Sequence, residues 1–221
     1  MQSRLPQACF LCGTRVVGQM LCAECAADLP LLTGAGCPQC ALPTAHGEIC
    51  GTCLKHPPAY DRTLAVFAYD FPLDVLVQQC KYAHVTALTG VFAEQMAQRI
   101  GQPDPSIDYL LPMPLHPERL AQRGFNQAAE IARRLSPRLG IPWLPDACQR
   151  LRNTPSQAGL DLKSRQRNLR GAFACTIDLR GKRVALIDDV MTSGSSLDEL
   201  ARTARKAGAA EIHAWVLART L

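Results

Sequence analysis

The chain has 221 residues, of which 48% are hydrophobic, and a formal net charge of +5. This length and composition are typical of a globular protein with one large domain, or a medium-sized domain and a small appendage. No apolar run approaches the roughly 20 residues that a membrane-spanning helix needs. The N-terminal stretch "MQSRLPQACF" lacks the apolar core of a signal peptide, so the sequence predicts a cytosolic protein.

The positive charge is concentrated in one segment. Residues 116–170 hold 11 Lys and Arg against 4 Asp and Glu, which leaves the rest of the chain slightly negative. A cationic segment of this kind suits a partner that carries phosphate, either nucleic acid or a small polyphosphate. A solvated helix face is the alternative, and charge alone does not separate the two.

Eight of the 11 cysteines form four Cys-x2-Cys pairs, and the second half of this head repeats the first with a shift of 28 positions. The cytosol keeps thiols reduced, which argues against disulfides. Two Cys-x2-Cys pairs can close a tetrahedral shell of thiolates around zinc. We therefore predict two structural zinc sites without an open coordination position. Their ligands are Cys9, Cys12, Cys22, Cys25, Cys37, Cys40, Cys50 and Cys53.

The internal repeat favours sequential pairing, with the first four cysteines on one zinc, over a cross-braced pairing of alternate Cys-x2-Cys pairs. The spacer inside each half is long enough for a small hairpin. Cys80, Cys148 and Cys175 are predicted to be small buried hydrophobic residues. Few basic residues and one aromatic, Phe10, lie between the cysteines. We therefore favour a cap or a protein-docking role for the head over direct contact with nucleic acid.

The pair Pro57-Pro58 marks the predicted boundary between a double zinc-ribbon head, residues 1–58, and a second domain, residues 59–221. Strand-like and helix-like segments alternate in this second domain. In chain order they are the strand "TLAVFAYD", the helices "LDVLVQQCKY" and "TALTGVFAEQMAQRI", the strand "IDYLLPMP", the helix "NQAAEIARRLSPRLG", the strand "KRVALIDD", the helix "SLDELARTARKAG" and the strand "EIHAWVLAR". The alternation predicts an α/β fold, with a mainly parallel sheet flanked by helices on both faces.

Ligands of parallel sheets lie beyond the carboxyl ends of the strands, which directs attention to the stretch "LIDDVMTSGSS". Asp188 and Asp189 would repel each other at the end of a buried strand. We expect them to accept hydrogen bonds from a ribose diol, with a divalent cation nearby. The loop that follows combines backbone N–H groups, hydroxyls and the start of a helix, which suits a phosphate dianion. Its predicted phosphate-binding residues are Thr192, Ser193, Gly194, Ser195 and Ser196.

An ordinary helix cap by Ser195 or Ser196 is the alternative, and it explains the serines but not the paired aspartates. Together with "LPMPLHPERLAQRGFNQA" and "TPSQAGLDLKSRQRNLRGAF", the stretch resembles the type I phosphoribosyltransferases and, in particular, the ComF family. Proteins of the ComFC/GntX-like subgroup are linked to competence and to the use of external DNA. The resemblance covers nearly the whole chain, including the head. Ser193 and Ser196 stand where threonine is usual, and both keep the hydroxyl.

The resemblance implies a type I phosphoribosyltransferase-like fold that binds phosphoribosyl pyrophosphate with Mg²⁺. Arg119 and Arg123 would face the pyrophosphate, because guanidinium groups suit phosphate oxygens. Arg165 belongs to the segment that matches the mobile catalytic loop, which would exclude water from the reacting centre. The implied catalytic residues are Asp188, Asp189 and Arg165. The pyrophosphate loop corresponds to Pro114, Leu115 and His116, and the catalytic loop also holds Thr154, Gln157 and Asn168.

Several polar residues near these motifs have two interpretations. His116 is a candidate proton carrier, and bracing of its loop is at least as good an explanation. Asn126 and Gln127 are predicted to brace the next helix. A ligand contact and a solvated face are equally good explanations for four further arginines, Arg150, Arg152, Arg167 and Arg170.

Two hypotheses about function follow. In the first, the chain is an enzyme or enzyme-like protein that binds phosphoribosyl pyrophosphate and transfers the phosphoribosyl group to an acceptor amine. In the second, it is a non-catalytic part of the DNA-uptake machinery. Residues 116–170 would then contact single-stranded DNA, and the head would dock on a helicase or a membrane component. A regulator that senses the sugar phosphate is less favoured, because the sequence shows no helix-turn-helix pattern.

Overall fold

The computed structural model describes residues 6–101, 106–153 and 169–221. Within these ranges no helix combines the length and the apolar character that crossing a membrane requires. The strands are β1 Pro6–Ala8, β2 Arg15–Val17, β3 Arg62–Ala68, β4 Tyr109–Pro112, β5 Cys148–Arg150, β6 Phe173–Cys175, β7 Arg183–Met191 and β8 Glu211–Arg219. The helices are α1 Ala23–Ala27, α2 Gly51–Lys55, α3 Leu73–Tyr82, α4 Leu88–Ile100, α5 Pro117–Arg123, α6 Gln127–Leu139 and α7 Ser195–Lys206.

A sheet of four parallel strands, in the order β3-β8-β7-β4, forms the centre of the fold. Alternate residues of β7 point to opposite faces. Ala185 and Ile187 pack with α3, α4 and α6 on one face, and Val184 and Leu186 pack with α7 on the other. All four side chains are fully buried. Helices cover both faces, as the apolar strand sequences predict, which confirms the α/β fold.

Strand β7 is longer than predicted. It continues past the two aspartates to Met191, because its pairing with β8 continues through Val190 opposite Ala218 and Met191 opposite Arg219. The expectation that the strand ends at Asp189 was therefore wrong by two residues. Helix α3 and strand β8, in contrast, occupy the predicted segments. Helix α5 and the antiparallel hairpin of β5 and β6 were not predicted.

The antiparallel pairing of β5 and β6 brings two of the remaining cysteines together. Cys148 lies directly opposite Cys175. Burial, and then the neighbouring Cys175, raise the pKa of the Cys148 thiol to about 12. Cys80 and Cys148 are buried as predicted, whereas Cys175 is only half-buried. The three residues therefore differ in environment.

The cysteine-rich head packs against the outer edge of β3. The backbone N–H of Leu32 donates to the carbonyl oxygen of Val66 at 2.9 Å, and the N–H of Ala68 donates to that of Pro30 at 2.8 Å. At the other end of the strand, the N–H of Thr63 donates to the carbonyl oxygen of Pro38 at 2.8 Å. The head therefore covers an edge that would otherwise expose unpaired backbone groups, in agreement with a capping role.

Candidate functional site

The eight predicted zinc ligands form two groups of four thiols, and the sulfur atoms of each group lie within 4.8 Å of one another. The Sγ atoms of Cys12 and Cys22 are 3.7 Å apart, and those of Cys40 and Cys50 are 3.6 Å apart. A tetrahedron with Zn–S bonds of about 2.3 Å has edges of about 3.8 Å, so both groups fit zinc. The pairing is sequential. Cys9, Cys12, Cys22 and Cys25 form the first zinc site, and Cys37, Cys40, Cys50 and Cys53 form the second.

Backbone N–H groups donate to the sulfur atoms at equivalent positions of the repeat. The N–H of Cys22 lies 3.3 Å from Cys9 Sγ, and the N–H of Cys50 lies 3.4 Å from Cys37 Sγ. Burial raises the pKa of the Cys9 thiol, but backbone hydrogen bonds outweigh burial and lower this pKa to about 6. Such bonds stabilise the thiolate that zinc binds. Four sulfur donors leave no open coordination position, so both sites are structural.

We expect reduced protein to carry two zinc ions per chain, one for each four-cysteine group. Replacing Cys37 and Cys40 together by serine should remove one of the two ions, because two thiolates hold zinc far more weakly than four. Elemental analysis of the parent and the variant measures both numbers. Fewer than about one zinc per chain in freshly reduced parent protein would contradict the assignment.

The two aspartates lie near the carboxyl end of β7, where Asp189 is buried and Asp188 is half-buried. The backbone N–H of Asp189 donates to Asp188 Oδ1 at 2.9 Å, and that of Val190 donates to Asp189 Oδ1 at 2.9 Å. Burial, and then the charge of Asp189, raise the pKa of Asp188 to about 8. Asp188 is therefore the more readily protonated of the two carboxyl groups.

Lys81, in the last turn of α3, forms an ion pair with Asp189. Lys81 Nζ lies 2.6 Å from Asp189 Oδ2, and the two side chains are 19% and 6% exposed. Burial raises the pKa of Asp189, but Lys81 outweighs burial and holds this pKa below its ordinary value. Burial lowers the pKa of Lys81, but the two aspartates raise it by more, so this pKa lies above its ordinary value. Lys81 was not among the predicted site residues, and it gives Asp189 a partner within the protein.

The loop after β4 lies beside these aspartates. The backbone N–H of Met113 donates to the carbonyl oxygen of Ile187 at 2.8 Å, so the chain leaves β4 next to Asp188. Of the predicted pyrophosphate-loop residues, Pro114 is buried, and Leu115 and His116 are half-buried. The structure thus brings the ends of β4 and β7 together, as the parallel sheet predicts.

His116 and Asn126 have bracing contacts. The Nδ1 atom of His116 accepts a hydrogen bond from the backbone N–H of Glu118 at 3.3 Å and caps α5. The side-chain N–H of Asn126 donates to the carbonyl oxygen of Met113 at 2.9 Å, and its Oδ1 atom caps α6. The expected bracing role of Asn126 is confirmed. For His116, these contacts favour bracing over proton transfer.

Arg123, at the end of α5, lies next to Lys81. Its Nη1 atom donates to Gln127 Oε1 at 2.7 Å, and its guanidinium carbon is 5.7 Å from the centre of the Tyr82 ring. The positive charge of Arg123 opposes the rise in the pKa of Lys81, so the two cations are within electrostatic reach. Gln127 and Tyr82 therefore orient the guanidinium group, and neither of these two contacts involves a carboxylate.

Two further arginines, Arg119 and Arg150, lie on the side of Asp188. Burial, and then the charge of Arg119, lower the pKa of Arg150, while the charge of Asp188 acts in the opposite direction. These three residues therefore share one region of the protein. The Arg150 guanidinium carbon is 5.6 Å from the centre of the Phe173 ring, on the neighbouring strand β6. Burial and the electrostatic influence of Asp188 favour the ligand interpretation of Arg150 over the solvated-face interpretation.

The predicted phosphate loop, Thr192–Ser196, joins β7 to α7. Gly194 is the N-cap residue with φ of 77°, and no side chain caps the helix there, so capping by Ser195 or Ser196 is not observed. A Cβ atom on Gly194 would lie 2.7 Å from Met191 Cε and 2.9 Å from the Tyr60 hydroxyl oxygen. The positive φ favours glycine here, and any larger side chain would also have to displace the ends of the Met191 and Tyr60 side chains. The backbone N–H of Ser195 donates to Ser193 Oγ at 3.4 Å, and the N–H groups that follow it in the first turn can be offered to an anion.

The described residues do not include the named residues of the predicted catalytic loop, which are Thr154, Gln157, Arg165 and Asn168, nor the neighbouring Arg167. At the two ends of that segment, Arg152 Nη1 donates to the carbonyl oxygen of Arg170 at 3.0 Å. Arg152 therefore has a hydrogen-bond partner within the protein.

Two family models match the chain, in the same order along the sequence as the zinc sites and the candidate ligand site. A family model described as a double zinc ribbon domain matches residues 1–54, and one described as a phosphoribosyl transferase domain matches residues 120–221. The DNA utilization protein YhgH of Salmonella typhi is 33% identical, in an alignment that covers 98% of this chain and 99% of that protein. The chain belongs to the ComF family.

Other relatives in the ComF family are similar over the same length. Competence protein F of Haemophilus influenzae is 31% identical and covers 96% of this chain and 90% of its own. Competence protein ComFC of Bacillus subtilis is 24% identical and covers 91% and 85%.

Among solved structures, the glutamine phosphoribosylpyrophosphate amidotransferase of B. subtilis is 19% identical, with a TM-score of 0.42 over 60% of this chain and 26% of that chain. A purine phosphoribosyltransferase from Pyrococcus horikoshii is 20% identical, with a TM-score of 0.33 over 63% and 84%. At these values, neither structure supports a statement about ligand or reaction. The family assignment rests on the sequence relatives.

Proposed function

We propose that this protein binds phosphoribosyl pyrophosphate together with Mg²⁺ and transfers the phosphoribosyl group to an acceptor amine, as part of the cell's use of DNA. The observation that carries the proposal is the position of Asp188 and Asp189, which lie near the end of β7, two residues before the loop that leads into the N-terminus of α7. Carboxylates that can accept hydrogen bonds from a diol therefore lie close to backbone N–H groups that can donate hydrogen bonds to a phosphate. The match to a phosphoribosyl transferase domain model supports the same ligand.

The charges around the aspartates suit a polyanion. Lys81, Arg119, Arg123 and Arg150 supply four cations near two carboxyl groups, one of which has a raised pKa. Guanidinium groups bind phosphate oxygens in pairs of hydrogen bonds. We assign these side chains to the pyrophosphate and the loop Thr192–Ser196 to the 5′-phosphate.

The chemistry of the donors also fits a magnesium ion. Mg²⁺ is commonly held by one or two carboxylates together with the oxygens of a substrate phosphate. Asp189 is paired with Lys81, so Asp188 is the carboxylate that we assign to this ion and to the diol. When bound, the ion neutralises charge on the pyrophosphate.

In the reaction, the bond between C1 of the ribose and the pyrophosphate oxygen breaks, and pyrophosphate leaves with the electron pair. A bond from the acceptor nitrogen to C1 forms, and the nitrogen then releases a proton. Arginine side chains near the pyrophosphate would stabilise the charge that develops on it. We also propose Arg165 as a catalytic residue at this centre.

Single-stranded DNA binding is the second candidate function. It is favoured by Tyr82 and Phe71, whose side chains are 72% and 71% exposed, and by the guanidinium of Arg123 over the Tyr82 ring. Exposed aromatic rings next to cations can stack with bases. In this alternative, the head docks on a helicase or a membrane component of DNA uptake, and residues 116–170 contact the strand.

Two further assignments are part of the proposal. We divide the chain into the head, residues 1–58, and the phosphoribosyltransferase-like domain, residues 59–221. The cytosol is our proposed location, since eight of the cysteines are arranged as zinc ligands, which must be reduced.

Calorimetry with phosphoribosyl pyrophosphate and Mg²⁺, beside a salt titration of single-stranded DNA binding, separates the two functions. Saturable heat with the sugar diphosphate is expected under the first. Strong DNA binding with a steep salt dependence and no heat from the small ligand would replace it with the second.

Arg123→Ala should weaken phosphoribosyl pyrophosphate by about 10- to 100-fold, because hydrogen bonds to charged groups contribute about 1.5–3 kcal/mol. Ribose 5-phosphate, which lacks the pyrophosphate, should bind this variant almost as it binds the parent. Calorimetric titrations of both ligands measure the difference.

Arg133→Ala is the matched control, because Arg133 is an exposed arginine of α6 that pairs with Glu130. An equal loss for both ligands in the Arg123 variant would contradict the contact with pyrophosphate. If Arg123 faces DNA instead, the salt slope of DNA binding should fall by about one unit.

The affinity for phosphoribosyl pyrophosphate with Mg²⁺ should rise about tenfold between pH 7 and pH 9, since Asp188 must lose a proton to bind and its pKa is about 8. Calorimetry in buffers of different ionisation enthalpy would count the proton released. The Asp188→Asn variant should lose this dependence. A parent protein whose affinity is constant over this range would contradict the role of Asp188.

A further inference from the structure

The buried side chain of Arg219, the last residue of β8, connects the second zinc site to the phosphate loop. Its exposed fraction is 5%. The Nε atom donates to the carbonyl oxygen of Cys40 at 2.8 Å, and Nη1 donates to that of Met191 at 3.0 Å and also to that of Thr192. One guanidinium group therefore holds the backbone of a zinc ligand and the first peptide groups of the loop Thr192–Ser196.

The charge of a zinc–thiolate centre gives this buried cation an electrostatic partner. Zinc with four thiolates carries a net charge of about −2. A buried charge is retained where an opposite charge compensates it. Loss of zinc, followed by protonation of the thiols, would remove this compensation.

Tyr60 makes a second connection between the same two regions. Its side chain is 3% exposed, and its hydroxyl oxygen would lie 2.9 Å from a Cβ atom on Gly194. Burial raises the pKa of Tyr60, and Asp198, Cys53 and Cys40 act in the same direction. The hydroxyl group is therefore close both to the phosphate loop and to ligands of the second zinc site.

We propose that Arg219 is a positioning residue through which the second zinc site holds the phosphate loop in its binding shape. This inference rests on the proposed binding of phosphoribosyl pyrophosphate. Zinc in the second site raises the affinity for the sugar phosphate, and by linkage the bound ligand raises the affinity of that site for zinc by the same factor. We expect this tighter binding to appear as slower zinc release. The first zinc site has no part in this coupling.

Zinc release to a chromophoric zinc chelator, measured with and without phosphoribosyl pyrophosphate and Mg²⁺, tests the proposal. Alkylation of the freed cysteines, followed by peptide mass spectrometry, identifies which site has lost its ion. We expect the ligand to slow release from the second site about fivefold or more and to leave release from the first site unchanged. The first site is thus a control within the same molecule.

Arg219→Lys is the variant of choice, because it keeps the positive charge but loses the fork that reaches both carbonyl groups. Its two zinc ions should be released at rates that the ligand does not change, although circular dichroism shows a folded protein. Equal slowing of both sites in the parent, or full slowing in a folded Arg219→Lys protein, would overturn the coupling.

A parent protein that gives no heat with phosphoribosyl pyrophosphate refutes the proposed function, and hydrogen exchange then tests the coupling by itself. Removal of zinc from the second site should speed amide exchange in Thr192–Ser196. Unchanged exchange in that loop would overturn the positioning role of Arg219.

Discussion

Asp188→Asn is expected to weaken binding of phosphoribosyl pyrophosphate with Mg²⁺ by about 10- to 100-fold and to leave the fold intact. Asparagine keeps the size of the side chain and loses the charge, and a charged acceptor strengthens a hydrogen bond by about 1.5–3 kcal/mol. Lys81 pairs with Asp189 rather than with Asp188, so this substitution does not break the ion pair. Calorimetry on the parent and the variant gives the ratio of affinities.

The stability of the same variant provides an independent check. Because the folded protein raises the pKa of Asp188 to about 8, folding takes up a proton, and the parent loses stability as the pH rises from about 4 to 8. The Asp188→Asn protein should lack this loss and melt higher than the parent at pH 8. Asp178→Asn, at an exposed carboxylate paired with Arg180, is the control for both measurements. Unchanged affinity in the Asp188 variant would show that this carboxyl group has only a structural role.

The periodicity of apolar residues was sufficient to predict the central sheet. Strand β8 and helix α3 have the bounds of the predicted segments "EIHAWVLAR" and "LDVLVQQCKY". The apolar residues that predicted each element are the ones that pack into the core. The zinc sites could likewise be predicted, since spacing alone determines which thiols can meet. Local sequence carries both kinds of information.

The end of β7 could not be predicted, because polarity does not decide where a strand stops. Its length depends on pairing with β8, which continues past the aspartates to Met191. Helix α5 is a short element for a related reason. It spans only Pro117–Arg123, between the capping residues His116 and Gly124, and none of its residues is buried. A periodic pattern was therefore absent.

Lys81 was missed because nothing in its sequence context distinguishes it. A lysine in the last turn of a helix is common, since it interacts favourably with the helix dipole. Its partner Asp189 lies more than a hundred positions away, and only the packing of α3 on the sheet brings them to 2.6 Å. Arg219 illustrates the same limit, because its contact with Cys40 joins the two ends of the chain. Contacts between residues this far apart in sequence depend on the topology of the fold.

Asp189→Asn is expected to destabilise the protein by about 3–5 kcal/mol, because it leaves the ammonium group of Lys81 buried without its carboxylate. The Lys81 side chain is 19% exposed, too little for water to replace the lost partner. Urea unfolding of zinc-loaded protein, followed by tryptophan fluorescence, measures the loss. Glu130→Gln, which breaks the exposed pair with Arg133, is the matched control and should cost about 1 kcal/mol or less.

Lys81→Met combined with Asp189→Asn separates the structural role of this pair from its role in binding. Removing both charges leaves no unpaired ion, so most of the lost stability should return. Affinity for phosphoribosyl pyrophosphate should stay low, because the double variant lacks both a cation and a carboxylate of the candidate site. If the double variant recovers stability and binds the ligand as the parent does, the pair is structural alone. If the single Asp189→Asn protein is as stable as the parent, Lys81 finds another partner, and the ion pair does not hold α3 to the sheet.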